Sequence, residues 1–89
     1  MIKAISVSVP KHGFVALTFS DGTTGVYDMT LILARSGAMI DPLKDTDFFT
    51  RVFLELGAPT WPNGFDLAPW DIHKKLSESG GLRQVTSAA

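Results

Sequence analysis

The sequence predicts an α+β fold built on a small, mainly antiparallel β-sheet with one or two short helices. Three patterns carry this prediction. Apolar and polar residues alternate from Ile2 to Val9, which is typical of a half-buried strand. Asp21-Gly22 separates two further strand-like runs and is a strong hairpin signal, because both residues tolerate a positive φ. Residues 61–69 combine a Pro-Asn-Gly turn with signals for a helix start.

The first three strands follow from these patterns in chain order. The first should end at residues 10–13 and place three apolar side chains on one face, namely Ile5, Val7 and Val9. Phe14 to Phe19 is the second strand, with one face formed by Val15, Leu17 and Phe19. Thr23 to Asp28 is the returning strand. Gly25 inside it indicates a bulge or a close backbone approach.

The middle of the chain predicts short elements. Met29 to Ala34 should form a helical turn that docks apolar residues on the sheet, with Gly37 ending it. Asp45 or Thr46 should cap a single helical turn through Phe48 and Phe49. Arg51 to Leu56 alternates and predicts a strand ended by Gly57 and Pro59, although a helix continuing from Asp47 fits the same residues.

The last part of the chain predicts an edge strand and one longer helix. Thr60-Trp61 should begin a short strand at a sheet edge, because Pro62 cannot donate a ladder hydrogen bond. Asp66 is expected to cap the helix, with Pro69 in its first turn and Ile72 and Leu76 on one face. Residues 1–78 should therefore form a single domain, and residues 79–89 a flexible tail.

Several motifs together resemble a known family. These are a strand ending in FSDG, a following strand ending in Asp28, the segment IDPLKDTDFF, and WPNGFDLAP. Over Ile2 to Leu76 the chain resembles the small bacterial domains grouped as DUF2442. The resemblance implies a two-layer domain with its helices packed on one face of the sheet. Some members carry a helix-turn-helix domain after the sheet, and this chain ends too soon for one, so DNA binding is not carried over. Members are often encoded beside another small protein, which has suggested a toxin–antitoxin-like role.

Composition narrows the function classes. The 89 residues include 8 Lys and Arg against 9 Asp and Glu, a net charge of −1, so the basic excess of a nucleic-acid-binding protein is missing. The absence of Cys excludes disulfides and thiolate chemistry, and it fits a reducing cytoplasm. The longest apolar run, Leu31 to Ala34, is far shorter than the ~20 residues of a membrane span. The N-terminus lacks the apolar core of a signal peptide.

No motif predicts a cofactor or a metal. His12 and His73 lie in different elements and are expected to be a loop and a helix-surface residue, because a metal site needs several convergent ligands. Asp28 closes a strand and enters a helical turn, so it should either cap that turn or face a cleft. A small-ligand or enzymatic function would need a cleft formed by Tyr27, Asp28, His73 and Trp61.

The aromatic residues of the last third give the main functional hypothesis. Four residues form a candidate partner surface, namely Trp61, Phe65, Trp70 and His73. They could instead cover the core, with the indole N–H groups bound to backbone carbonyls. Trp is enriched at binding hot spots, and Trp70 is expected to be the more exposed of the pair. We therefore expect a non-enzymatic interaction module that binds another protein or a second copy of itself.

Overall fold

The computed structural model describes residues 1–85. The strands are β1 Ala4–Lys11, β2 Phe14–Phe19, β3 Thr23–Asp28, β4 Phe53–Glu55, β5 Ala58–Thr60 and β6 Arg83–Gln84. The α-helices are α1 Thr30–Leu33, α2 Thr46–Phe49 and α3 Pro69–Ser79, and Asp41–Lys44 forms a 3-10 turn. None of the helices in this range has the length and apolar character needed to cross a membrane.

Within residues 1–85, four strands form an antiparallel sheet in the order β1-β2-β3-β6. The β2–β3 register runs without interruption from Phe14 opposite Asp28 to Thr18 opposite Thr24. Asp21-Gly22 lies in the connecting turn, where Gly22 has a φ of 86°. The predicted hairpin and the mainly antiparallel α+β fold are therefore confirmed.

The face predicted for β1 is wrong at Ile5. The register between β1 and β2 shifts between Ala4 and Ser6, so this part of the ladder is bulged. As a result Ala4 is buried and Ile5 is 64% exposed. A bulge adds one residue to a strand and changes which side chains face the core, and alternation alone does not detect it.

The segment after α2 is a hairpin rather than a long strand. β4 is confined to Phe53–Glu55 and pairs with β5, so Pro59 lies inside the second strand instead of ending the first. Leu56 and Gly57 have φ values of 52° and 82°, which is the backbone of a type I′ turn. The hairpin abuts the start of β1, where the Ala4 N–H donates to the Gly57 carbonyl at 2.9 Å.

One predicted helix cap is confirmed and one is wrong. The Asp45 carboxylate accepts from the Phe48 N–H at 3.0 Å and caps α2. Asp66 does not cap α3, because it forms a bridge with Thr60 and the residue before the helix is Ala68. Pro69 occupies the first turn as predicted, and the extended backbone of Ala68 is the geometry that a following proline favours.

The core lies on one face of the four-stranded sheet. Its fully buried large side chains come from the sheet, the connecting segments and α3, and include Leu17, Phe19, Met29, Leu43, Phe49, Trp61 and Ile72. Leu76 of α3 packs against β3 at Gly25, where an added Cβ would lie 2.9 Å from the Leu76 Cδ1 atom. The predicted close approach at Gly25 is confirmed, and it sets the distance between α3 and the sheet.

The chain continues to pack after α3. Gly80 has a φ of 75° and ends the helix, while the Gly81 N–H donates to the Leu76 carbonyl at 2.8 Å. β6 then pairs with Thr23 and Thr24. A flexible tail was expected from residue 79 onward. Residues 79–85 instead include the last residue of α3 and all of β6. Residues 86–89 lie outside the described part.

Candidate functional site

Two members of the candidate partner surface contact the core: Trp61 lies inside it and Phe65 packs against it. The Trp61 side chain is fully buried and its Nε1–H donates to the Phe49 carbonyl at 2.9 Å. The rings of Phe49 and Phe65 lie 5.6 and 5.8 Å from the Trp61 ring. This is the core alternative for Trp61, in which a buried indole N–H is satisfied by a backbone carbonyl. Phe65 is only half-buried and packs against the same core.

Trp70 takes the opposite position. It follows Pro69 in the first turn of α3 and is 55% exposed. The buried face of the helix is formed by Ile72 and Leu76, so an indole two residues before Ile72 points away from the sheet. The expectation that Trp70 is the more exposed tryptophan is confirmed.

His73 lies one helical turn after Trp70 and is held in place by the β2–β3 turn. Its Nε2–H donates to the Asp21 Oδ2 atom at 2.8 Å, and its ring packs edge-on against Phe19 at 5.0 Å. The other Asp21 oxygen accepts from the Thr23 N–H at 3.0 Å and from the Thr23 hydroxyl at 2.6 Å. Both Asp21 oxygens are thus occupied, and the hydrogen bond from His73 fixes the first half of α3 over the hairpin.

These hydrogen bonds favour the charged form of Asp21. The Thr23 hydroxyl is the largest cause that holds the pKa of the Asp21 carboxyl below its ordinary value, with smaller contributions from the Thr23 N–H and His73. Partial desolvation opposes them. The carboxylate therefore stays ionised at neutral pH and offers the imidazole a constant acceptor.

We name Trp70, His73 and Asp21 the α3 surface. It contains Trp70 and His73, two of the four residues predicted for the partner surface. It also contains Asp21, which the sequence pattern predicted only as a turn residue. Asp21 and His73 are 52 positions apart. No local spacing connects them, and only the docking of α3 on the hairpin brings them together.

Asp28 binds the first residue of the helical turn that follows it. Its Oδ1 atom accepts from the Thr30 N–H at 2.8 Å and from the Thr30 hydroxyl at 2.7 Å. The hydroxyl is the largest cause that lowers the pKa of the Asp28 carboxyl below its ordinary value. Asp28 therefore holds the start of α1 from the position before the N-cap residue, Met29, which itself makes no side-chain cap hydrogen bond.

Tyr27 and Asp28 also line an open hollow of about 290 Å³ between β3 and α3. Its other lining residues are Val26, Lys75, Leu76 and Ser79. His73 and Trp61, which a catalytic cleft was expected to include, do not line it. The Asp71 carboxylate, 2.8 Å from the Lys75 Nζ atom, is the main cause that raises the pKa of Lys75, and Tyr27 adds to it. The hollow is open to solvent and bordered by Lys75, which is already paired with Asp71.

His12 has a structural environment. Its Nε2–H donates to the Leu43 carbonyl at 2.9 Å, and its ring packs edge-on against Phe49 at 5.0 Å. In residues 1–85, no three side chains capable of binding a metal ion converge. His12 thus joins the β1–β2 connection to the 3-10 turn.

Comparison with known proteins places the chain by sequence. A family sequence model described as "Protein of unknown function (DUF2442)" matches residues 4–75. The match extends from β1 into the second half of α3 and includes all three residues of the α3 surface. No curated protein and no solved structure gave a significant match.

Proposed function

The chain belongs to the DUF2442 family, and on that premise we propose that it is a non-enzymatic protein–protein interaction module. The α3 surface is the binding site in this proposal. The partner is a separate protein, and the two form a regulatory or toxin–antitoxin-like pair in the cytoplasm. The family resemblance motivates the idea of a pair, and the cysteine-free composition motivates the compartment.

The exposure of Trp70 is the observation that carries the proposal. The core accommodates the other tryptophan completely and satisfies its N–H, whereas 55% of Trp70 remains in solvent. Exposing an indole forgoes the burial of a large apolar surface, and tryptophan anchors are common at the centres of binding interfaces. A partner that covers Trp70 would recover that burial.

The surroundings of Trp70 suit an anchor. A hot spot needs a rigid base, because ordering a mobile side chain on binding costs free energy. Here the His73–Asp21 pair joins the helix to the hairpin, and Phe19 lies under the imidazole. The polar groups of this pair form a rim beside the indole, as in interfaces whose apolar centre is surrounded by polar contacts.

The first test is capture of the partner from the source cell with tagged protein at native expression level. The native chain, Trp70→Ala and Leu31→Ala are compared by mass spectrometry. Leu31 is a matched control, because it is a helical apolar residue that is 83% exposed on another element. We expect one dominant partner with the native chain and the control, and its loss with Trp70→Ala.

The proposal is overturned if Trp70→Ala retains the same partner as the native chain, or if none of the three proteins captures one. Circular dichroism must show the same fold for all three. His73→Gln provides a second variant, which keeps a hydrogen-bond donor toward Asp21. We expect it to weaken capture less than Trp70→Ala does.

A further inference from the structure

Only two of the six residues on the outer edge of β3 are paired with β6. The ladder with β6 comprises Thr23 opposite Gln84 and Thr24 opposite Arg83, and it goes no further. Among residues 1–85, no strand pairs with residues 25–28 on that side. A strand edge with unpaired N–H and C=O groups is a template for pairing with another strand.

The hydrogen-bond pattern shows which groups are free to pair. The Val85 N–H donates to the Gly22 carbonyl at 2.8 Å, so Gly22 points its backbone toward the β6 side. Antiparallel strands alternate the direction of these groups from residue to residue. Val26 and Asp28 therefore direct their backbone groups to the uncovered part of the edge.

Two hollows show that this edge is accessible from both faces of the sheet. One of about 350 Å³ is lined by Ala16, Thr24, Gly25, Val26, Gly81 and Arg83. The second is the hollow on the α3 side, which contacts residues 26–28. Side chains of successive strand residues point to opposite faces of the sheet. A hollow that contacts three consecutive residues of β3 must therefore reach both faces, which is possible only at the edge of the strand. An added strand could thus place its side chains on both sides.

The opposite edge of the sheet, strand β1, is protected against pairing with another strand, unlike the free part of β3. β1 contains Pro10, which cannot donate a hydrogen bond, and its register with β2 shifts at two places. Proline, bulges and lysine are the usual devices that prevent edge pairing, and Lys11 ends the strand. The free part of β3 has neither a proline nor a register shift.

We propose that two copies of this chain pair antiparallel along residues 26–28 of β3. Val26 of one copy exchanges backbone hydrogen bonds with Asp28 of the second copy, and Tyr27 lies opposite its own counterpart. A two-fold axis requires a self-complementary surface. The edge has one, because Arg83 lies near one end and Asp28 at the other, so the antiparallel arrangement brings unlike charges together. Neither residue takes part in a salt bridge within the described chain.

Symmetric crosslinking tests this register directly. The chain has no Cys, so a single introduced thiol can pair only with the same position of another copy. Directly opposed residues that do not exchange hydrogen bonds have Cα atoms about 4.5 Å apart, within the range for a disulfide. We expect Tyr27→Cys to form a disulfide dimer about tenfold faster than either control, because pairing raises the effective thiol concentration.

The controls are Val26→Cys and Ser8→Cys. Val26 is one residue away and half exposed, and in the proposed register it faces Asp28 rather than itself. Ser8 is exposed on the protected strand β1. Equal rates for all three folded variants would overturn the proposal. Because Tyr27 is partly buried, circular dichroism must show that Tyr27→Cys is folded.

Charge reversal provides a test that does not alter Tyr27. The edge is short, well below the roughly 1,200 Å² of a standard interface, so we expect a Kd on the order of 0.1 mM by sedimentation. Arg83→Asp should weaken the dimer about tenfold, since two symmetric pairs become repulsive. Adding Asp28→Arg should restore it, whereas Arg51→Asp, a matched exposed charge, should have no effect. A monomer at millimolar concentration, or no restoration by the double variant, would contradict self-pairing.

This inference does not depend on the proposed function. Trp70 lies in the first turn of α3, whereas the free edge is residues 25–28 of β3, so each surface can be removed alone. Loss of capture in Trp70→Ala with unchanged Tyr27→Cys crosslinking would support the α3 surface by itself. The opposite pair of results would support self-pairing alone.

Discussion

Gly25 sets how closely α3 approaches the sheet, so Gly25→Ala perturbs the contact that positions the candidate site. An added Cβ would lie 2.9 Å from the Leu76 Cδ1 atom and 3.0 Å from the Gly81 carbonyl oxygen. Both distances are shorter than normal van der Waals contact. The first neighbour is a side chain that could rotate, but the second is backbone held by the Gly81 hydrogen bond to Leu76. The helix must therefore shift.

The magnitude follows from two opposing terms. Overpacking a close contact costs about 1–3 kcal/mol. Replacing glycine by alanine also restricts the unfolded chain and returns about 0.4–1 kcal/mol where the backbone allows alanine, and Gly25 does not have a positive φ. We expect a net loss of about 1–2 kcal/mol in the free energy of unfolding. For a domain of this size that lowers Tm by roughly 4–16 °C.

Urea denaturation followed by tryptophan fluorescence and circular dichroism measures this loss. Ser8→Ala, an exposed change on β1, is the control and should stay within about 0.5 kcal/mol of the native chain. Shortening the crowding side chain in Gly25→Ala/Leu76→Val should recover part of the loss relative to the sum of the single variants. A Gly25→Ala protein as stable as the native one would refute the assigned contact between α3 and β3.

Three further predictions concern the core, a turn and acid stability. Trp61→Phe should lower the free energy of unfolding by about 2–4 kcal/mol in a urea titration, because it leaves the Phe49 carbonyl without the indole donor and opens a cavity. Leu56→Asn should raise Tm by a few degrees, since Leu56 has a φ of 52° and Asn-Gly suits a type I′ turn; a lower Tm would contradict that turn. The folded-state pKa values of Asp21 and Asp28 lie below the ordinary 3.8, so their contribution should be complete above that pH and lost as pH falls through the folded-state values. Asp21→Asn should flatten this acid limb in pH-dependent urea titrations, and an unchanged limb would contradict the assignment.

The parts of the fold that local sequence controls were predictable. Asp21-Gly22 favours a turn because of its backbone preferences. The Asp45 side chain caps α2 through a hydrogen bond to Phe48, only three positions later in the sequence. Gly25 signalled a close approach because a strand interior rarely tolerates a missing side chain without a reason. Each of these signals acts within a few residues.

The wrong predictions concern residues whose conformation depends on contacts with distant parts of the chain. Ile5 is turned outward by a bulge that depends on pairing with β2 and on the hairpin docked at Ala4. Asp66 has the composition of a helix cap, but its backbone is held by the bridge to Thr60. Local propensity is a weak prior, and tertiary pairing overrides it.

The candidate site was predictable only in part for the same reason. Trp70 could be expected to be exposed from its position relative to Ile72 and Leu76 on the helix. The hydrogen bond between His73 and Asp21 could not be predicted, because it exists only once α3 lies over the β2–β3 turn. The burial of Trp61 depends on the Phe49 carbonyl, which belongs to helix α2, 12 positions earlier in the sequence.

The most direct test of the proposed function is the affinity of the purified captured partner for the native chain, Trp70→Ala and Leu31→Ala. Isothermal titration at one salt concentration gives the three Kd values. A hot-spot tryptophan contributes at least about 2 kcal/mol, so Trp70→Ala should weaken binding about 30-fold or more, while Leu31→Ala should bind like the native chain. Equal Kd values for all three proteins would show that the partner binds elsewhere and would contradict the role assigned to the α3 surface.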